Sequence, residues 1–143
     1  MKRIYLILLL LVPLISSAQE HLLGKSIEEV RAAQKAANCQ FIRTKITKLV
    51  MYDKFKCDDD AEISCFYWKD TCFKVSEALD ISLIGTVVQK LDARAKSIRV
   101  NQWVDKDGTV KISLLKYMDD DKFYVYYVNI KKYKQKVRST IGY

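Results

Sequence analysis

His21 is the single histidine among 143 residues, and it stands close to the start of the chain. Nucleophilic hydrolysis of the Ser-His-Asp or Cys-His kind needs an imidazole held in fixed geometry, and chain ends hold side chains poorly. That chemistry therefore lacks its base. The glycines are the scattered Gly24, Gly85, Gly108 and Gly142, so no phosphate-cradling loop and no dinucleotide fingerprint is present. Carboxylates cluster at Asp58-Asp59-Asp60, Asp105-Lys106-Asp107-Gly108 and Asp119-Asp120-Asp121. These runs could attract calcium, but they lack the spaced ligands and closing Glu of an EF-hand, and they read as turns. The sequence predicts a protein that is not an enzyme and needs neither cofactor nor metal.

Cys39, Cys57, Cys65 and Cys72 are the next reactive set. No Cys-x-x-Cys pair and no neighbouring His occurs, which argues against zinc, whereas an even number of closely spaced cysteines suits up to two disulfides in an oxidising compartment. Three connectivities are open. The start of the chain supplies the matching compartment. Lys2 and Arg3 precede an apolar run from Ile4 to Ile15, and Ser16-Ser17-Ala18 offers small residues for cleavage before Gln19. Residues 1–18 are thus expected to be a signal peptide, and the mature chain to be periplasmic or secreted. The apolar run, about a dozen residues, is short of the roughly twenty that a spanning helix needs, and no transmembrane segment is expected in the mature chain.

The formal net charge is +8, but its distribution says more than its total. From Lys122 onward the chain holds basic residues and no acidic one. Lys132, Lys134, Lys136 and Arg138 recur at every second position, and in an extended chain they would line one face. With Lys131 they form a candidate anion-binding set within a basic C-terminal tail, residues 132–143. A solvated tail that merely aids solubility accounts for the same pattern.

Between leader and tail, residues 19–131 read as one α+β domain without a Pro-rich or Gly-rich linker. Ser26 and Glu29 make a capping-box pattern, and Ile27, Val30, Ala33 and Ala37 follow at helical spacing. Alternation from Ile42 to Tyr52 predicts a strand; residues 63–68 and 72–79 predict two more, joined at Lys69-Asp70-Thr71. Asp80 or Ser82 can cap a second helix striped by Leu83, Ile84, Val87, Val88 and Leu91. Residues 98–104, 110–114 and 123–130 then predict a three-stranded meander. The expected architecture is two helices packed on an antiparallel sheet in the order α-β-β-β-α-β-β-β, with a possible internal duplication near residues 25–79 and 80–131.

Strand parity suggests a binding surface. If Ile98, Val100, Val104, Val110, Ile112 and Leu114 face the helices, the other face presents Arg99, Asn101, Trp103, Lys111, Ser113, Leu115 and Tyr117. Rigid aromatic and cationic side chains of this kind compose protein-binding surfaces. A second layer covering Trp103 and Tyr117 would instead make them core.

The segment Leu23-Gly24-Lys25-Ser26-Ile27-Glu28-Glu29-Val30 resembles the start of the first helix in small exported bacterial domains of the β-lactamase-inhibitor-protein-like and outer-membrane-assembly-lipoprotein-like kind. The resemblance implies helices on an antiparallel sheet and binding without catalysis. It spans about eight residues and the element order. The acylated Cys of the lipoproteins and an inhibitory loop are both missing, so no functional residue is carried over.

Two functions follow as expectations. One is an exported interaction module that binds an unknown protein or peptide through Arg99, Asn101, Trp103, Lys111 and Tyr117. The alternative is a binder of an anionic polymer or membrane surface acting through Lys131, Lys132, Lys134, Lys136 and Arg138. Nucleic acid is not an expected partner.

Overall fold

The computed structural model describes residues 19–57 and 60–141. The expected signal peptide, residues 1–18, lies outside them, as do Asp58 and Asp59. The described chain begins with a 3-10 turn, Gln19–Leu22, whose Leu22 is wholly buried. His21 therefore sits on a segment anchored by its neighbour. Helix α1 (Ile27–Ala36) starts at Ser26, which donates its backbone N–H to Glu29 Oε2 at 2.8 Å and accepts from the Glu29 N–H at 3.3 Å. This reciprocal cap satisfies two otherwise unpaired donors. Asn38, at φ 57°, ends the helical path in the left-handed region.

Four strands follow: β1 (Gln40–Ile46), β2 (Met51–Lys56), β3 (Glu62–Trp68) and β4 (Thr71–Asp80). The single strand expected from Ile42 to Tyr52 is two strands, because Thr47 takes up the turn: its hydroxyl donates to the Val50 carbonyl and accepts from the Val50 N–H. Lys69 and Asp70, both at positive φ, make the tight β3–β4 turn. Asp80 then caps a 3-10 turn, Ile81–Leu83, that runs into helix α2 (Ile84–Arg94). The second half is β5 (Lys96–Arg99), β6 (Gln102–Val104), β7 (Val110–Lys116) and β8 (Lys122–Asn129), closed by helix α3 (Ile130–Ile141).

The mixed α+β class with an antiparallel sheet holds, but with three helices and eight strands rather than two and six. All strands form one sheet in the order β1-β2-β3-β4-β8-β7-β6-β5. Each half is a helix followed by a four-stranded meander, and the order is symmetric about the β4–β8 pair. Residues 132–141 of the expected basic tail are helical, with Asn129 Oδ1 accepting from the Lys132 N–H at 3.0 Å as an N-terminal cap.

The sheet has two unlike faces. The inner one carries Phe55, Ile63, Cys65, Val75, Ile112, Phe123 and Val125, all at most 1% exposed, with Val30 of α1 and Leu91 of α2 in the same core. The outer face carries Lys54, Glu62, Phe66, Lys74, Lys111, Ser113, Leu115, Tyr124, Tyr126 and Val128, by the pairings Lys54↔Ser64, Phe66↔Lys74, Lys74↔Val128 and Lys111↔Val128. Helix α3 meets this second face through Tyr133, which stacks on Phe73 with ring centroids 6.4 Å apart. Phe73 is the extra residue of a β-bulge, since Phe66 pairs Lys74 while Tyr67 pairs Cys72. The bulge turns Phe73 and Lys74 toward the same side.

Candidate functional site

Trp103 is not on the outer face. It is 3% exposed, opposes Ile112 in the core, and donates its indole N–H to Asp92 Oδ1 of α2 at 2.7 Å. The expected parity failed at the β6–β7 turn. Asp105 pairs with Val110 across four intervening residues, so odd positions of β6 face the same way as even positions of β7. Asp105 fixes that loop by accepting from the Thr109 and Val110 N–H groups. The strand expected over residues 98–104 also turns back at Asn101, which has φ 56°. As a result Val100 is 89% exposed rather than facing a helix. Arg99 opposes Gln102, and Asn101 occupies the β5–β6 turn; neither lines the groove formed by Lys111 and Tyr117.

Lys111 and Tyr117 are brought together by the fold. They line an open groove of about 650 Å³ on the outer face, together with Lys74, Tyr126, Tyr133 and Lys134. Its floor is apolar, built from Leu115, Val128 and Ile130. The groove unites two sets that the sequence held apart: β7 and the β7–β8 connection supply Lys111 and Tyr117, and α3 supplies Lys134 as a wall. The rest of the C-terminal set disperses. Each helical residue turns about 100°, so Lys132 and Lys134 point to nearly opposite sides, not along one face. Lys131, Lys132 and Arg138 lie elsewhere on α3, and Lys136 sits 5.4 Å from the centroid of the Phe73 ring.

Lys74 was not singled out in the sequence, and neither were Tyr126 and Tyr133. Lys74 lies inside the strand expected over residues 72–79, whose two faces were left unassigned, and its pairing with Phe66 and Val128 places it on the outer face. Its ammonium is 4.8 Å from the Phe66 ring centroid and 4.6 Å from that of Tyr126. Burial, and then the neighbouring Lys136, pulls its pKa below the ordinary lysine value. Ring faces attract a cation but leave its charge uncompensated. Among the described residues no carboxylate pairs with Lys74, Lys111 or Lys134. Burial and a hydrogen bond with Tyr117 push Tyr126 up to about 12, so its hydroxyl is a neutral donor at physiological pH. Tyr124, which donates to Asp120 Oδ2 at 2.7 Å, is likewise pushed up to about 12.

The inner face holds polar groups too, but these are matched. Asp53, fully buried, accepts from Arg31 Nε at 2.7 Å, from Thr44 Oγ1 and from the Tyr67 hydroxyl at 3.3 Å. A second cavity of about 380 Å³ opens beside this network between Arg31, Lys35, Cys39, Phe41 and Phe55. Its guanidinium is already committed to Asp53 and Thr44, which leaves little polar capacity for a ligand.

Of the candidate disulfide residues, Cys39 and Cys57 are bonded, tying the end of α1 to the end of β2. Cys65 and Cys72 are buried thiols, so the structure contains one bridge where the sequence allowed two. A hydrogen bond with Cys72 and burial push the Cys65 thiol far above its ordinary range, the opposite of what a nucleophile requires. Among the described residues no group of three or more His, Cys, Asp or Glu is placed to hold a metal ion, and no helix is long and apolar enough to cross a membrane. Comparison with protein-family models, with curated proteins and with solved structures finds no match for this chain.

Proposed function

We propose that the protein is an exported, non-catalytic interaction module that docks a protein or peptide in the groove between the β7–β8 hairpin and α3. The carrying observation is the convergence of Lys111 and Tyr117 with Lys134 over an apolar floor, on the face of the sheet that α1 and α2 leave open. Tyrosines on a sheet are stiff and bury area at small entropic cost, and cations at the rim steer a partner of opposite charge. The Cys39–Cys57 bond is compatible with an oxidising compartment. The resemblance of residues 23–30 to small exported binding domains points the same way.

The test is site-directed photo-crosslinking in the natural host, with a benzophenone side chain at Leu115 in the groove or at the exposed Gln89 of α2, which covers the opposite face of the sheet. The expected result is a discrete polypeptide adduct from position 115 that is lost when Tyr117→Ala is added, and none from position 89. Equal adducts from both positions, or none from 115, would refute the reading.

A further inference from the structure

Resting on the groove as the docking face, we propose that it reads an acidic segment, with Lys74 as the anchor that meets a partner carboxylate and Lys111 and Lys134 as flanking cations. Three observations converge. Lys74 is partly withdrawn from water between Phe66 and Tyr126, with no counter-ion among the described residues. The sheet carboxylate on that face is already engaged: Glu62 is bonded to Lys54 at 2.7 Å and lies 3.8 Å from Lys122. Lys136, close enough to depress Lys74, adds further positive potential at the groove's α3 side. A cation that has lost part of its hydration and gained no opposite charge gives an arriving carboxylate a stronger bond than a fully solvated lysine would. The apolar floor and the tyrosine rings suit a carboxylate carried on a peptide with aliphatic or aromatic neighbours.

A second copy of the chain is a poor occupant. The strongest basic run, on α3, has no acidic counterpart within the helix, the acidic turns at Asp105–Asp107 and Asp119–Asp121 are short and partly engaged in their own loops, and Asp60 of the third acidic run is paired with Lys56 at 3.0 Å. The docking partner is therefore a different polypeptide.

The experiment uses the full mature chain with 15N-labelled lysine and four probes: an acetylated, amidated peptide alternating Glu with Leu and Tyr, its Gln-for-Glu counterpart, inorganic phosphate, and vesicles containing anionic phospholipid. The expected result is that the Glu peptide shifts the Lys74 Nζ signal and raises its pKa, binds at least tenfold more tightly than the Gln peptide, and loses that advantage in Lys74→Gln. Equal binding of both peptides at the groove overturns the acidic reading and leaves the groove intact as a docking face. Binding of vesicles or phosphate with no response to either peptide overturns the choice of a polypeptide partner. No response of any groove signal to any probe removes the groove reading itself. Circular dichroism of Lys74→Gln guards against a folding defect, and Lys74→Arg should restore the preference for Glu if charge is what the anchor supplies.

Discussion

Asp53 and Lys74 occupy opposite faces of one sheet, and their surroundings are opposite as well. Asp53 is wholly buried, and the elements around it bring a guanidinium, a threonine hydroxyl and a tyrosine hydroxyl to its oxygens. Lys74 is only partly covered, yet it meets two aromatic rings and further lysines. A buried charge with complete partners is part of the fold, because removing one partner strands the other in a poor solvent. A shielded charge whose partners are missing adds little to folding and is available to bind. The contrast teaches where to look on this molecule: the inner face holds charges matched by the fold, and the outer one holds the unmatched charges on which the proposed recognition rests.

The comparison breaks most directly through Trp103. As an inner-face residue bonded to Asp92, its replacement by Ala should cost about 3–5 kcal/mol in denaturant unfolding, while Tyr117→Ala on the outer face should cost less than about 1 kcal/mol. Near-equal losses would erase the distinction between the faces. Next in size is Arg31→Ala, which leaves Asp53 buried with only hydroxyl partners and should cost about 3 kcal/mol by the same measurement, the low end for a broken buried pair because Arg31 is itself half exposed.

A smaller effect sharpens the outer face alone. The hydrogen bond from Lys54 holds Glu62 below its ordinary value of 4.5, with burial opposing and Lys122 assisting. A carboxylate depressed in the folded state stabilises above its unfolded pKa, and that contribution is lost as pH falls through the lower folded value. Denaturant midpoints should therefore decline below about pH 4.5, and Glu62→Gln should flatten part of the decline by less than about 1 kcal/mol, since the pair is partly solvated. An unchanged acid limb in Glu62→Gln would detach this ion pair from stability.

The elements were legible wherever local chemistry dominates. Ser26 and Glu29 announce α1, and Lys69-Asp70 and Asp105 to Gly108 announce turns, because caps and left-handed residues act within a few positions. The groove was not legible, for reasons of register. The four-residue connection after Asp105 reverses parity and sends Trp103 inward, which an alternation count carried across the turn does not see, and the bulge at Phe73 brings that ring to the side of Lys74. The C-terminal cations have a period of two, which would line one face of an extended chain and equally suits a solvated tail. The lack of acidic residues there gave no local signal against either, and the helix is set by the Asn129 cap and by Tyr133 packing on Phe73. Lys111, Tyr117 and Lys134 were nonetheless named from sequence, and what was missed was that they share one groove.

The central claim is that the lysines of this groove serve binding rather than folding. Chemical denaturation of the combined Lys74→Gln, Lys111→Gln and Lys134→Gln variant measures it most directly. The account predicts a midpoint equal to or above that of the unaltered protein, because mutual repulsion is relieved and no ion pair is lost; a fall equivalent to more than about 2 kcal/mol would place these cations in the fold and contradict it.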